Sequence, residues 1–124
     1  MNVFDITDFG AVGDGITDNR EAIQTAINKC SELGGGIVRI PGGNVFMTGP
    51  FDLKSYVDFH VESGARILAN PDEKVYTKSA FRDNFKEGSI WIGGENAEKV
   101  SITGKGTIDG NGIAFMGPEE KAAY

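Results

Sequence analysis

An amphipathic segment led in by a glycine- and aspartate-rich run and cut off by three consecutive glycines most constrains how this 124-residue chain can fold. Ala22, Ile23, Ala26, Ile27, Cys30 and Leu33 recur at three- and four-residue spacing, with Glu21, Gln24, Asn28 and Lys29 mostly on the opposite face. The spacing predicts one helix over residues 18–33. Asp18 with Glu21 three positions on reads as a capping box, and Gly34-Gly35-Gly36 as a left-handed stop. In the lead-in, Gly10, Gly13 and Gly15 permit positive φ, while Asp14, Thr17 and Asp18 can satisfy backbone donors as the chain turns into the helix.

Beyond the helix the chain reads as short strands broken by glycine, proline or aspartate. Strands are expected at 37–40, 45–48, 51–53, 56–62, 65–69, 89–92, 100–103 and 107–109, with breaks such as Pro41-Gly42-Gly43 and Gly49-Pro50. Val57, Phe59 and Val61 alternate with Asp58, His60 and Glu62, so one face is apolar and the other polar. The polar stretch 70–88, with Pro71, interrupts the pattern and reads as an insertion loop. Shifting the sequence by about 41 residues places Phe59, Val61, Ala65 and Ile67 on Val100, Ile102, Gly106 and Ile108, a weak repeat of a strand-turn-strand unit. A β-sandwich also has short strands with frequent turns. A solenoid explains the repeat better, because each unit shares its apolar face with the next and a lone helix can cap the first coil. The length suits one domain.

The run Phe9-Gly10-Ala11-Val12-Gly13-Asp14-Gly15, together with Gly106-Thr107-Ile108-Asp109-Gly110-Asn111-Gly112, resembles the polygalacturonase family of glycoside hydrolases. The resemblance implies an all-β fold, a right-handed parallel β-helix with an N-terminal capping helix, of which residues 1–124 form the N-terminal coils as a single domain. It also implies a parent protein that hydrolyses pectic polysaccharide with inversion. Inverting hydrolysis needs an acid and a base carboxyl group about 6.5–9.5 Å apart. The family's Asp-Asp, Gly-His-Gly and Arg-x-Lys motifs do not occur in the sequence, and its one Asn-x-Asp, Asn70-Pro71-Asp72, precedes the Gly-Thr-Ile-Asp-Gly element it should follow. No catalytic residue is therefore assigned; the chemistry is expected beyond Tyr124, and this segment is expected to be structural and inactive.

Individual side chains have ordinary readings beside functional ones. Asp109 could line a groove but more simply caps a turn. His60 could contact substrate, yet on the polar side of a strand it is expected to face solvent or pair with a neighbour. Trp91 and Tyr56 could stack on sugars and are expected to pack in the core or between coils. Arg39 and Arg66 could bind carboxylates and are expected to face outward. Cys30 reads as a small buried hydrophobe; with His60 the sole histidine it cannot build a zinc site, and neither metal nor cofactor is expected.

A net charge of −6 without a basic block argues against nucleic acid, and no apolar run reaches the roughly 18 residues that span a bilayer. The chain as given carries no export signal, though the resemblance implies a secreted or periplasmic parent. The expected partner is pectic polysaccharide, with self-association through an exposed C-terminal coil. The alternative function is a non-catalytic β-helix module that binds a glycan or builds a fibre.

Overall fold

A computed structural model describes residues 2–72, 91–94 and 96–110. Among the described residues ten short strands lie in three sheets and every ladder is parallel, which excludes a sandwich of antiparallel hairpins. The first coil holds β1 (Val3–Asp5), a 3-10 turn (Ile6–Phe9), β2 (Asp14–Asp18) and the helix α1 (Arg20–Glu32). The second holds β3 (Gly36–Ile40), β4 (Val45–Thr48) and β5 (Phe51–Asp52). The third holds β6 (Val57–Val61), β7 (Arg66–Ala69) and β8 (Ile92–Gly93), and the fourth begins with β9 (Ser101–Thr103) and β10 (Thr107–Asp109). First strands stack as β1-β3-β6-β9, second strands as β2-β4-β7-β10, and third strands as β5-β8. The molecule is a right-handed parallel β-helix, the hand that parallel crossovers adopt.

Register stacks like on like through the interior. Val38, Phe59 and Ile102 are aligned, as are Phe46, Ile67 and Ile108. Phe51 reaches across from the third sheet to Phe59, with ring centroids 5.2 Å apart. The alternation in β6 holds, Val57, Phe59 and Val61 being buried. The helix adds Ile23, Ala26, Ile27 and Cys30 to the same core, and burial pushes the Cys30 thiol above its ordinary pKa.

The helix stop is a Schellman pair: Gly34 N–H donates to Ser31 O at 3.0 Å and Gly35 N–H to Cys30 O at 2.8 Å. Its start differs from expectation. Asn19, not Asp18, is the N-cap, and its side chain makes no capping bond. Asn19 is instead buried and ties the coils together, accepting from Val12 N–H at 2.8 Å and donating to the carbonyls of Val12, Thr17 and Met47. Asp18 accepts from Arg20 N–H, Gly49 N–H and the Asn70 amide, so it spans the three coils.

The lead-in contains two strands that the sequence pattern does not reveal. In β2, Asp14 pairs with Val45 and Asp18 with Met47, so the strand bulges between them. Asp14 holds the bulge by accepting from the N–H groups of Thr17 and Ile16, and these bonds keep its carboxyl below the usual carboxylate range. Gly15 has φ +76°, as expected, but Gly13 is needed for a different reason: a Cβ there would lie 2.6 Å from Asn44 Cβ.

The internal repeat also needs correction. Ile67 aligns with Ile108 as expected, but Phe59 aligns with Ile102 and not Val100. The corner between β9 and β10 is two residues shorter than the one below it. Gly104 and Gly106 make this possible, because a Cβ at either would collide with Val61. Residues 73–88 of the expected insertion and residues 89–90 of the expected 89–92 strand lie outside the described residues; the strand seen there is β8 at Ile92–Gly93.

Candidate functional site

The outer face of the first sheet carries the densest set of polar side chains, one tier per coil. Arg39 on β3 donates from Nη1 to Asp5 Oδ2 at 2.7 Å, and from Nε to Glu62 Oε2 at 2.6 Å. Glu62 also accepts from Gly42 N–H at 3.0 Å. The Arg39 bond, followed by the Gly42 N–H, holds the Glu62 carboxyl below the usual glutamate range, and Glu62 in turn raises the Arg39 pKa. One guanidinium therefore joins three coils. On the second sheet Arg66 Nη1 meets Asp109 Oδ2 at 2.7 Å.

His60 and Asp58 on β6 meet the next coil through Thr103. The Thr103 hydroxyl donates to Asp58 Oδ1 at 2.6 Å and lies 2.7 Å from His60 Nδ1. Its single proton goes to the carboxylate, which accepts only, so the histidine must donate from Nδ1. Beside this chain is an open depression of about 580 Å³ lined by His60, Glu62, Ser63, Gly104 and Lys105.

These positions compare with expectation residue by residue. Arg39 and Arg66 face outward, as expected, and each is ion-paired between coils. His60 is paired on the polar face. Trp91 packs against the core and donates from Nε1 to Thr48 O at 3.1 Å. Tyr56 is no core residue: it is exposed at the corner before β6 with φ +67°, where Gly35 packs against its Cβ and carbonyl. The Asp109 carboxylate is held by Arg66, and the Asn111-Gly112 part of the turn it is expected to cap lies outside the described residues. Asn19 and Gln24 organise the coils without a signal in the sequence; polarity at the N-cap and at helix position 24 is uninformative until the facing coil is known. Among the described residues no three His, Cys, Asp or Glu side chains gather to hold a metal. Asp5, Asp58, Glu62 and Asp109 are all engaged by donors within the coils, which suits bracing more than acid-base work. Among the described residues no helix is long and apolar enough to cross a membrane.

Three-sided coils braced by side-chain ladders define a parallel β-helix protein. The chain belongs to the rhamnogalacturonase A/epimerase, pectate lyase-like family, whose profile matches residues 3–97. It is 36% identical over 123 residues to the exo-poly-alpha-D-galacturonosidase of Dickeya chrysanthemi, covering 89% of this chain and 20% of that protein. It is 37% identical over 109 residues to the plasmin and fibronectin-binding protein A of Streptococcus pneumoniae, covering 86% of this chain and 15% of that one. The solved exopolygalacturonase of Thermotoga maritima superposes with a TM-score of 0.76 at 32% identity, over 90% of this chain and 25% of its own. The expected likeness to polygalacturonases is thus borne out. The chain spans about a fifth or less of the curated relatives named here.

Proposed function

We propose that residues 1–124 are the N-terminal coils of a longer β-helix hydrolase that cuts pectic polysaccharide with inversion, the helix α1 serving as its cap. The observation that carries this reading is 36% identity to a galacturonosidase across most of the chain. The engaged carboxylates agree with it, since an acid-base pair must stay free to exchange protons. In this reading the present coils anchor the solenoid, later coils supply the chemistry, and the protein works outside the cytoplasm where its polymeric substrate is. Full-length protein incubated with polygalacturonate should release reducing ends of inverted anomeric configuration, read by proton NMR. Purified 1–124 should release none. Release by 1–124 that disappears when one of its aspartates is replaced would overturn the division of labour.

A second reading is favoured by one specific observation, the 37% identity to a plasmin- and fibronectin-binding protein. In this reading the β-helix of the present protein is an adhesive module. Binding of the full-length protein to immobilised plasmin or fibronectin, with no release of reducing ends, would select it.

A further inference from the structure

The short corner of the fourth coil creates a notch. Gly104 and Gly106 draw that corner in over Val61, and Gly106 N–H donates to Val61 O at 2.9 Å. Ser63, in the longer corner of the third coil, is left exposed. The depression of about 580 Å³ is lined by residues of these two corners. That size lies within the range of about 300–1,000 Å³ typical of small-molecule sites.

The groups around the notch are not equally available. Glu62 is committed to Arg39 through both oxygens and to Gly42 N–H. His60 is oriented by Thr103, which is itself fixed by Asp58. With Nδ1 donating to Thr103, Nε2 is the ring atom without a partner among the described residues, and in the neutral ring it is an acceptor. Lys105 has no ion pair among the described residues and is exposed. What the notch offers a ligand is therefore one uncommitted cation, one hydroxyl on Ser63 and one pre-oriented imidazole nitrogen. A cation suits a carboxylate, and a hydroxyl with a nitrogen acceptor suits the hydroxyls of a sugar ring.

We propose that this notch is a binding subsite for a single acidic sugar residue, with Lys105 meeting its carboxylate and Ser63 and His60 Nε2 meeting its hydroxyls. The subsite binds and does not cleave. Its existence does not depend on the proposed hydrolase activity, which is read by a different assay.

The test is a titration of the isotope-labelled chain with galacturonate, galactose and acetate, followed by amide shifts and the His60 ring signals. Galacturonate should move Ser63, Gly104, Lys105 and the His60 ring together, at lower concentration than either galactose or acetate. Lys105→Gln should weaken galacturonate about threefold, the scale of an exposed ion pair, and leave galactose unchanged, while Lys105→Arg retains binding. Ser63→Ala should weaken both sugars and spare acetate. Galactose as effective as galacturonate would remove the charge recognition, and acetate as effective as galacturonate would reduce the notch to a simple anion site. Either result overturns the proposal, as does Lys105→Gln that binds like the parent chain.

Discussion

At one end of the described coils the edge of β5 is met by side chains of α1; at the other, the inward-facing Ile102 and Ile108 are 49% and 38% exposed. Their aligned partners one coil earlier, Phe59 and Ile67, are fully buried. The difference lies in how backbone groups are satisfied. Gln24 accepts from Asp52 N–H at 2.8 Å and donates to Asp52 O at 3.0 Å, doing for β5 what a neighbouring strand would do. Arg20 donates to Pro50 O and Ser31 to Ser55 O on the same seam. A helix can therefore seal a parallel coil if it carries amide and hydroxyl side chains at the right turns. β9 and β10 have no such cover among the described residues, and an uncovered strand edge invites pairing.

The sharpest way to break this comparison is to charge the sealed end. Ile27 is fully buried on the core side of α1. Ile27→Asp should cost several kcal/mol, on the order of 3 or more, through an unpaired buried charge. A thermal midpoint within a degree or two of the parent chain would mean that the helix does not pack as described.

A pair of glycines separates backbone strain from crowding. Gly34 at the sealed end and Gly104 at the open end have nearly equal φ, +97° and +98°. A Cβ at Gly34 meets nothing within 4 Å, whereas one at Gly104 collides with the Val61 backbone. Gly34→Ala should therefore cost about 1 kcal/mol, the left-handed penalty alone. Gly104→Ala should cost about 2–3 kcal/mol. Amide exchange should rise over residues 101–109 in the second variant only; equal effects would refute the tight seating of the fourth coil.

The sequence makes some of these features legible and hides others for physical reasons. The helix, its glycine stop and the alternation of Val57, Phe59 and Val61 are local patterns, and each survives in the structure. β1 has three residues with no buried position, and the β2 bulge destroys the period-two alternation that identifies a strand. Asp18 reads as the cap, and Asn19 beside it carries no signal of its own; the partners of Asn19 include Met47, which only the stacking of coils brings near. The two-residue slip between Phe59 and Ile102 comes from a corner shortened by glycines, which a fixed-period alignment cannot represent. The polar ladder was visible as outward-facing residues, but which coil each would bridge depends on that same register.

Gln24→Leu tests the seam directly. Removing the amide leaves Asp52 N–H and C=O without these partners, with an expected loss of about 1–2 kcal/mol. The uncovered β5 edge should also increase association at high concentration. Unchanged stability would show that water replaces Gln24 without cost and that the helix seals by apolar packing alone.

At the open end the expected effect is on association more than stability. Ile102→Lys should change stability by less than about 0.5 kcal/mol because the residue is already half exposed. In light scattering across a concentration series, the parent 1–124 chain should self-associate and the variant less so. A parent chain that stays monomeric with full amide protection over residues 100–109 would contradict an adhesive C-terminal coil.

The smallest effect is the response to acid, and salt tells its two sources apart. Glu62 and Asp14 both have folded pKa values below their ordinary ones, the first mainly through Arg39 and the second through the Thr17 and Ile16 N–H groups. A depressed carboxylate adds stability that is fully present above its unfolded pKa and is lost as pH falls through its folded value. Both contributions should therefore fade below the usual carboxylate range, and Glu62→Gln and Asp14→Asn should each flatten the acid limb of stability against pH. The Glu62 pair joins two coils through solvent-exposed charges, so added salt should weaken it. The Asp14 bonds are short-range contacts to its own loop at 2.8 and 2.9 Å, and they should persist. High salt should then shrink the difference between Glu62→Gln and the parent chain to the part carried by the Gly42 N–H bond, while leaving the Asp14→Asn difference in place. If salt removes both differences equally, the bulge of the first coil is held by long-range charge and not by its local hydrogen bonds.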